Sequence, residues 1–188
     1  MDGLTPQRSG AHEVELNRQT LGESDMSKFT RVDLTTEDLD WFALDSLGFV
    51  GHFTSNGTLA VPVEVASSRE DLESAFQWFE RRPRIPGTSD LSRNVTRWVP
   101  YLNVASPERR EIYIDASAEW SDRGLYSFNV DNRDGAPSTP YYNVTRPHNP
   151  LSVTALPREL QVYLESMRLP VVFSEVDTVT VPFDPDPE

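Results

Sequence analysis

Residues 40–55 read Asp40-Trp-Phe-Ala-Leu-Asp-Ser-Leu-Gly-Phe-Val-Gly-His-Phe-Thr-Ser55. Two short aromatic runs, 41–45 and 49–54, flank Ser46-Leu47-Gly48. A three-residue connection ending in Gly suits a hairpin whose glycine takes the left-handed conformation. On the second strand Phe49, Gly51 and Phe53 would share one face, and Val50, His52 and Thr54 the other. This hairpin is the first secured piece of a sheet, and the remaining elements must pack around it.

Upstream, residues 1–30 are polar and without periodicity, which predicts a flexible arm dispensable for folding. Thr35-Thr-Glu-Asp38 resembles a capping box and predicts a short helix before Trp41. Downstream, Leu59–Val65 predicts a third strand, with Pro62 placing it at an edge. The clearest helix covers 67–82. Ser67 would cap it, Glu70 would complete a capping box, and Leu72, Ala75, Phe76 and Phe79 form one stripe. Residues 83–106 read as a long loop, with one helical turn through Leu91, Val95 and Trp98.

Ser106-Pro107-Glu108 signals a second helix, closed at Gly124, with Ile112, Ala116 and Trp120 as its inner stripe. Residues 125–130 and 141–146 predict a strand pair around a turn-rich loop. Pro157 opens a third helix with Leu156, Leu160, Leu164 and Met167 on one face, and residues 171–176 predict a last strand. The order implies an α+β single domain over 31–182. The sheet should be mixed or mainly antiparallel, with the helices 67–82 and 157–167 on one face. Residues 183–188 should form a flexible acidic tail.

The charge layout bears on function. The 188-residue chain carries a net charge of -13 and no Cys, which excludes disulfides and Cys-based chemistry. Residues 32–68 contribute -6 and residues 169–188 contribute -5, each with no Lys or Arg. Such a surface repels phosphate backbones and attracts basic proteins. No apolar run approaches the roughly 20 residues that span a bilayer, and the N-terminus has no apolar signal region. The expectation is a cytoplasmic protein that binds neither membrane nor nucleic acid.

Motifs for catalysis are sparse. There is no phosphate-cradling glycine loop, Rossmann fingerprint or nucleophile elbow. His12, His52 and His148 are far apart and lack metal spacing, so no metal and no cofactor is expected. A calcium-like run at 129–134 has Arg133 where a ligand should stand. His52, placed across the hairpin beside Asp45, is the one candidate acid–base pair.

Three stretches together resemble a family of small uncharacterised bacterial proteins. The first is Trp41-Phe-Ala-Leu-Asp45 with Gly48, Phe53 and a turn ending at Pro62. The second is Gly124-Leu-Tyr-Ser-Phe128. The third runs from Tyr142 to Arg146, then Pro147, Pro150-Leu151 and Leu156-Pro157. Their succession covers roughly residues 40 to 170. The chain departs from the family pattern at Phe128-Asn129, where an aromatic followed by Asp is usual. The resemblance implies the fold, a bacterial origin and a loose likeness to immunity proteins encoded beside toxins. It transfers no catalytic residue.

The expected function is therefore binding of a basic protein partner by Asp33, Glu37, Asp38, Asp40, Asp45, Glu175 and Asp177, provided both acidic windows converge. The alternatives are an enzyme using His52 and Asp45 or other carboxylates, and a structural component of an assembly.

Overall fold

The computed structural model describes residues 27–93, 95, 105–130 and 140–183, and every structural statement below concerns these. The arm through residue 26, Trp98, the loop 131–139 with most of the calcium-like run, and the tail 184–188 lie outside them.

The hairpin forms as its sequence dictates. Strands β1 (Asp40–Leu44) and β2 (Val50–Thr54) pair antiparallel, from Asp40 opposite Thr54 to Leu44 opposite Val50. Gly48 has φ +84°, the left-handed conformation the turn requires. The buried Asp45 closes the turn. Its Oδ1 accepts from the amides of Leu47 and Phe49 at 2.9 and 2.8 Å.

The other elements are α1 (Arg31–Thr36), α2 (Val63–Ala66), α3 (Arg69–Glu80), β3 (Ser89–Leu91), α4 (Pro107–Ser121), β4 (Tyr126–Val130), β5 (Tyr141–Pro147), a 3-10 turn (Val153–Ala155), α5 (Arg158–Glu165) and β6 (Thr178–Val179). The strands make one sheet in the order β1-β2-β4-β5, with β3 and β6 both on the far edge of β5. Only β2 and β4 run parallel, joined by the crossover that parallel strands require. The result is a single α+β domain with a mixed, mostly antiparallel sheet.

Both faces of β1 and β2 are covered. On one face Phe42 meets Phe79 of α3 and Trp120 of α4, with ring centroids 4.4 and 5.7 Å apart. Helix α5 packs against β1. On the other face Trp41, Phe53 and Phe128 stack at 4.3 and 4.7 Å, and Tyr141 closes edge-on to Trp41. Chain rather than helix covers this face. The Tyr141 hydroxyl donates to the carbonyl of Ala60, and the Phe173 ring lies over Gly51. A Cβ on Gly51 would stand 2.7 Å from that ring.

Several boundaries differ from the sequence reading. Residues 27–30, assigned to the arm, belong to the body: Phe29 is 4% exposed and its amide donates to Ala66. Thr30 and Asp33 form the capping box of α1, so the first helix starts before Thr35 and ends near its expected start. Leu59–Val65 is not a strand. Pro62, without an N–H, precedes the short helix α2 instead. Helix α3 is capped by Ser68, one residue later than expected, and Phe76 is only half-buried. The loop 83–106 contains β3, which takes Leu91 out of the expected helical turn.

Helix α4 has the expected ends but not the expected face. Ile112 is 69% exposed, whereas Ser117 and Ser121 are buried. These small residues let the helix approach β5 closely. The Ser117 carbonyl accepts from the Thr145 hydroxyl at 2.9 Å, and the Ser121 hydroxyl lies 2.8 Å from it. Residues 171–176 are turns rather than a strand, and the final strand is only Thr178–Val179.

Candidate functional site

The two acidic windows touch at Asp45, which accepts from the Phe173 amide at 3.2 Å, and lie apart elsewhere along the sheet. Asp40 and Thr178 lie on one transverse line of the sheet, through Thr54, Asn129 and Tyr142. Three strands stand between β1 and β6, a separation of roughly 19 Å at about 4.8 Å per strand step. Asp40 therefore stands well away from the second window, whereas Asp45 lies beside it.

Those of the first window are engaged locally. Asp33 and Glu37 pair with Arg69 at 2.8 and 3.3 Å, and that guanidinium lies 4.0 Å from the Phe29 ring centroid. Arg69 is the first residue after the cation-free window. The Thr30 backbone N–H and hydroxyl, together with Arg69, hold the Asp33 carboxyl below its ordinary range. Asp38 accepts from the amide of Asn56, although burial outweighs that bond and raises its carboxyl. Asp45 accepts from three amides, Leu47, Phe49 and Phe173.

His52 does not pair with Asp45. Its cross-strand neighbour is Phe42, and its Nε2 lies 2.9 Å from the diagonal Asp40. Its Nδ1 lies 3.3 Å from the Ser127 hydroxyl on β4, and its ring stacks on Trp120 at 4.3 Å. An ionised Asp40 only accepts, so the His52 Nε2 proton points to it. Burial would raise the Asp40 carboxyl, but the bonds from His52 and Thr54 offset this and hold it below its ordinary value. Ser127, His52 and Asp40 thus have the connectivity of a hydrolytic array. Ser127 and His52 are each 1% exposed, under Trp120, so no substrate reaches the hydroxyl. The array ties three strands together.

The second window has a different setting. Strands β3 and β6 run in the same direction along one edge of β5, end to end. The Ser92 amide donates to Val144 and the Asn143 amide donates to the Asp177 carbonyl, so the two chains meet at adjacent positions. There one chain leaves the sheet and the other arrives. A cleft of about 650 Å³ opens at this split, lined by Asp90, Leu91, Arg93, Arg146, Pro147, Ser174, Glu175 and Asp177.

A β-bulge builds the floor. Between Ser127 and Phe128, β4 advances one residue while β5 advances two, from Thr145 to Asn143. The extra residue reverses the alternation, so Arg146 falls on the side of Asn143 rather than that of α4. Arg146 then staples the split. It donates to the Ser92 hydroxyl at 3.0 Å, to the carbonyls of Ser174 and Val176 at 2.7 and 3.0 Å, and to Asp177 at 3.2 Å. Asn143 adds bonds to Ser92 and Phe173.

Three carboxylates border the cleft. Asp177 is shared with Arg146, Asp90 lies 3.2 Å from His148, and Glu175 has no partner among the described residues. Arg146 is occupied internally, which leaves Arg93 as the cation of the lining without a described partner. Glu175 and Asp177 were visible as candidates in the sequence. Asp90, Arg93 and Arg146 were not, because nothing local marks a bulge or two short strands meeting.

Among the described residues no group of three His, Asp or Glu side chains could hold a metal ion, and no helix is long and apolar enough to cross a membrane. No protein-family model, curated protein or solved structure matches the chain.

Proposed function

We propose that the protein is a non-enzymatic binding protein whose cleft at the split sheet edge receives a basic segment of a protein partner. One observation carries this reading: three carboxylates gather at a cleft whose floor cation, Arg146, already spends its donors on the protein itself. The net field of the chain, at -13, would speed the approach of a cationic partner and suppress that of nucleic acid. The resemblance to immunity-like bacterial proteins makes a cationic toxin in the cytoplasm the first partner to test. The carboxylates of Asp33, Glu37, Asp38, Asp40 and Asp45 fall outside the site, since each has a local structural role.

Fluorescence anisotropy with a labelled Lys- and Arg-rich peptide tests the reading. Binding should weaken with added salt, and Asp90→Asn or Glu175→Gln should reduce affinity while Glu37→Gln leaves it unchanged. Equal losses from all three variants would reduce the cleft to a share of a diffuse field and end the proposal.

A further inference from the structure

We infer that the basic segment is held in extended form, as an added strand on the outer edge of β3. This rests on the cleft reading above and specifies the mode of capture.

The ladder fixes which way the backbone of β3 points. His148 donates its amide to the Thr88 carbonyl at 2.8 Å, and Ser92 donates its amide to the Val144 carbonyl at 2.9 Å. Asp90, opposite Arg146, is the hydrogen-bonded pair between them. The N–H and C=O groups of Ser89 and Leu91 therefore face away from β5. Among the described residues they have no backbone partner. A row of free donors and acceptors on a sheet edge is a template for another chain.

The edge is held ready for pairing. Asp122, 5% exposed at the end of α4, accepts from the Thr88 amide at 3.2 Å and from the Ser89 hydroxyl at 2.9 Å. Its other oxygen accepts from Arg84 at 3.2 Å. These contacts fix the start of β3 without using its outward groups, so an incoming strand meets an ordered partner.

The two faces of β3 select the incoming sequence. Asp90 shares the cleft side with Arg146, whereas Ser89 and Leu91 lie on the α4 side, and Leu91 is 44% exposed. An added strand would present alternate residues to Asp90 and Glu175 and to Leu91. Alternating cationic and apolar side chains satisfy both. A Lys or Arg stem is long enough to lean over β3 into the cleft. The same charge selects against a second copy of this acidic chain on the open edge.

The test uses the full chain and three peptides of alternating Val and Lys. One is unmodified, one is N-methylated on every Val and one on every Lys. Strand addition needs the amides of one parity only. One methylated peptide should bind like the unmodified one and the other at least about tenfold more weakly, the loss expected when hydrogen bonds worth about 1.4 kcal/mol are removed. In parallel, hydrogen exchange at Ser89 and Leu91 should slow by about tenfold or more on saturation, with Asp90 little changed. Equal binding of all three peptides, with no added protection at Ser89 and Leu91, would overturn strand addition and leave the cleft reading standing. Absence of binding by the unmodified peptide would overturn both.

Discussion

The first hairpin and the split edge are held together by opposite means. Around β1, β2 and β4, aromatic rings stack from Trp41 through Phe53 to Phe128, and the strands are continuous. At the far edge, two strands of three and two residues lie end to end along β5. Polar groups secure them: Arg146, Asn143, Ser92 and the carbonyls of Ser174 and Val176. Apolar packing gives a region that excludes everything else. Polar stapling leaves unpaired backbone, an open cleft and charge in reach of solvent. On the proposed reading, the edge rather than the hairpin from which the fold is organised is the binding region.

Substitutions in the two regions should separate these roles, beginning with the largest effect. Phe53→Ala removes the middle ring of a fully buried stack and should cost about 3–5 kcal/mol in urea unfolding. Arg146→Met should cost less, about 2–3 kcal/mol, by removing the guanidinium bonds to the Ser92 hydroxyl, the Ser174 and Val176 carbonyls and Asp177. Amide exchange near Ser92 and Asp177 should accelerate in that variant, while the hairpin stays protected. Equal loosening of both regions would erase the distinction between them.

Gly48→Ala should destabilise by roughly 1 kcal/mol or more, because φ is +84° and the new Cβ would lie 3.2 Å from Val153 Cγ1. A neutral outcome in the same unfolding assay would mean that the turn is not what fixes the hairpin.

The pH dependence of stability should differ between the regions as well. The folded Asp40 carboxyl sits below its ordinary value, so its contribution is complete above that ordinary value. It is lost as pH falls through the depressed one. Wild type should lose more stability than Asp40→Asn across that acid window. Parallel curves for the two proteins would show that the His52 contact does not hold the charge. The smallest stability effect belongs to Glu175→Gln, within about 0.5 kcal/mol, since the side chain has no described partner. Its effect should be on binding instead.

The hairpin was legible because Gly48 and two aromatic runs carry the information locally. Helix α3 was legible through its periodic apolar stripe, apart from one position of capping. Helix α4 was half legible: Ser106, Pro107 and Gly124 mark its ends, but its buried contact is made by Ser117 and Ser121, which no hydrophobic pattern reveals. Charge summed along the chain does not show how the carboxylates of the acidic windows are engaged in the fold. Arg69, one residue outside the first window, neutralises two of its members in the folded protein. The cleft was illegible for a further reason. It depends on a bulge that turns Arg146 to the other face, and on two strands too short to leave a pattern.

The central claim is that a basic segment binds at the split edge. Nitrogen-15 NMR of the full chain during titration with the unmodified Val-Lys peptide tests it most directly. The account predicts saturable shifts confined to Ser89–Arg93, Arg146 and Ser174–Asp177, with the hairpin residues Asp40–Thr54 unmoved. Shifts centred on Asp33, Glu37 and Asp40, or spread evenly over every surface carboxylate, would contradict it.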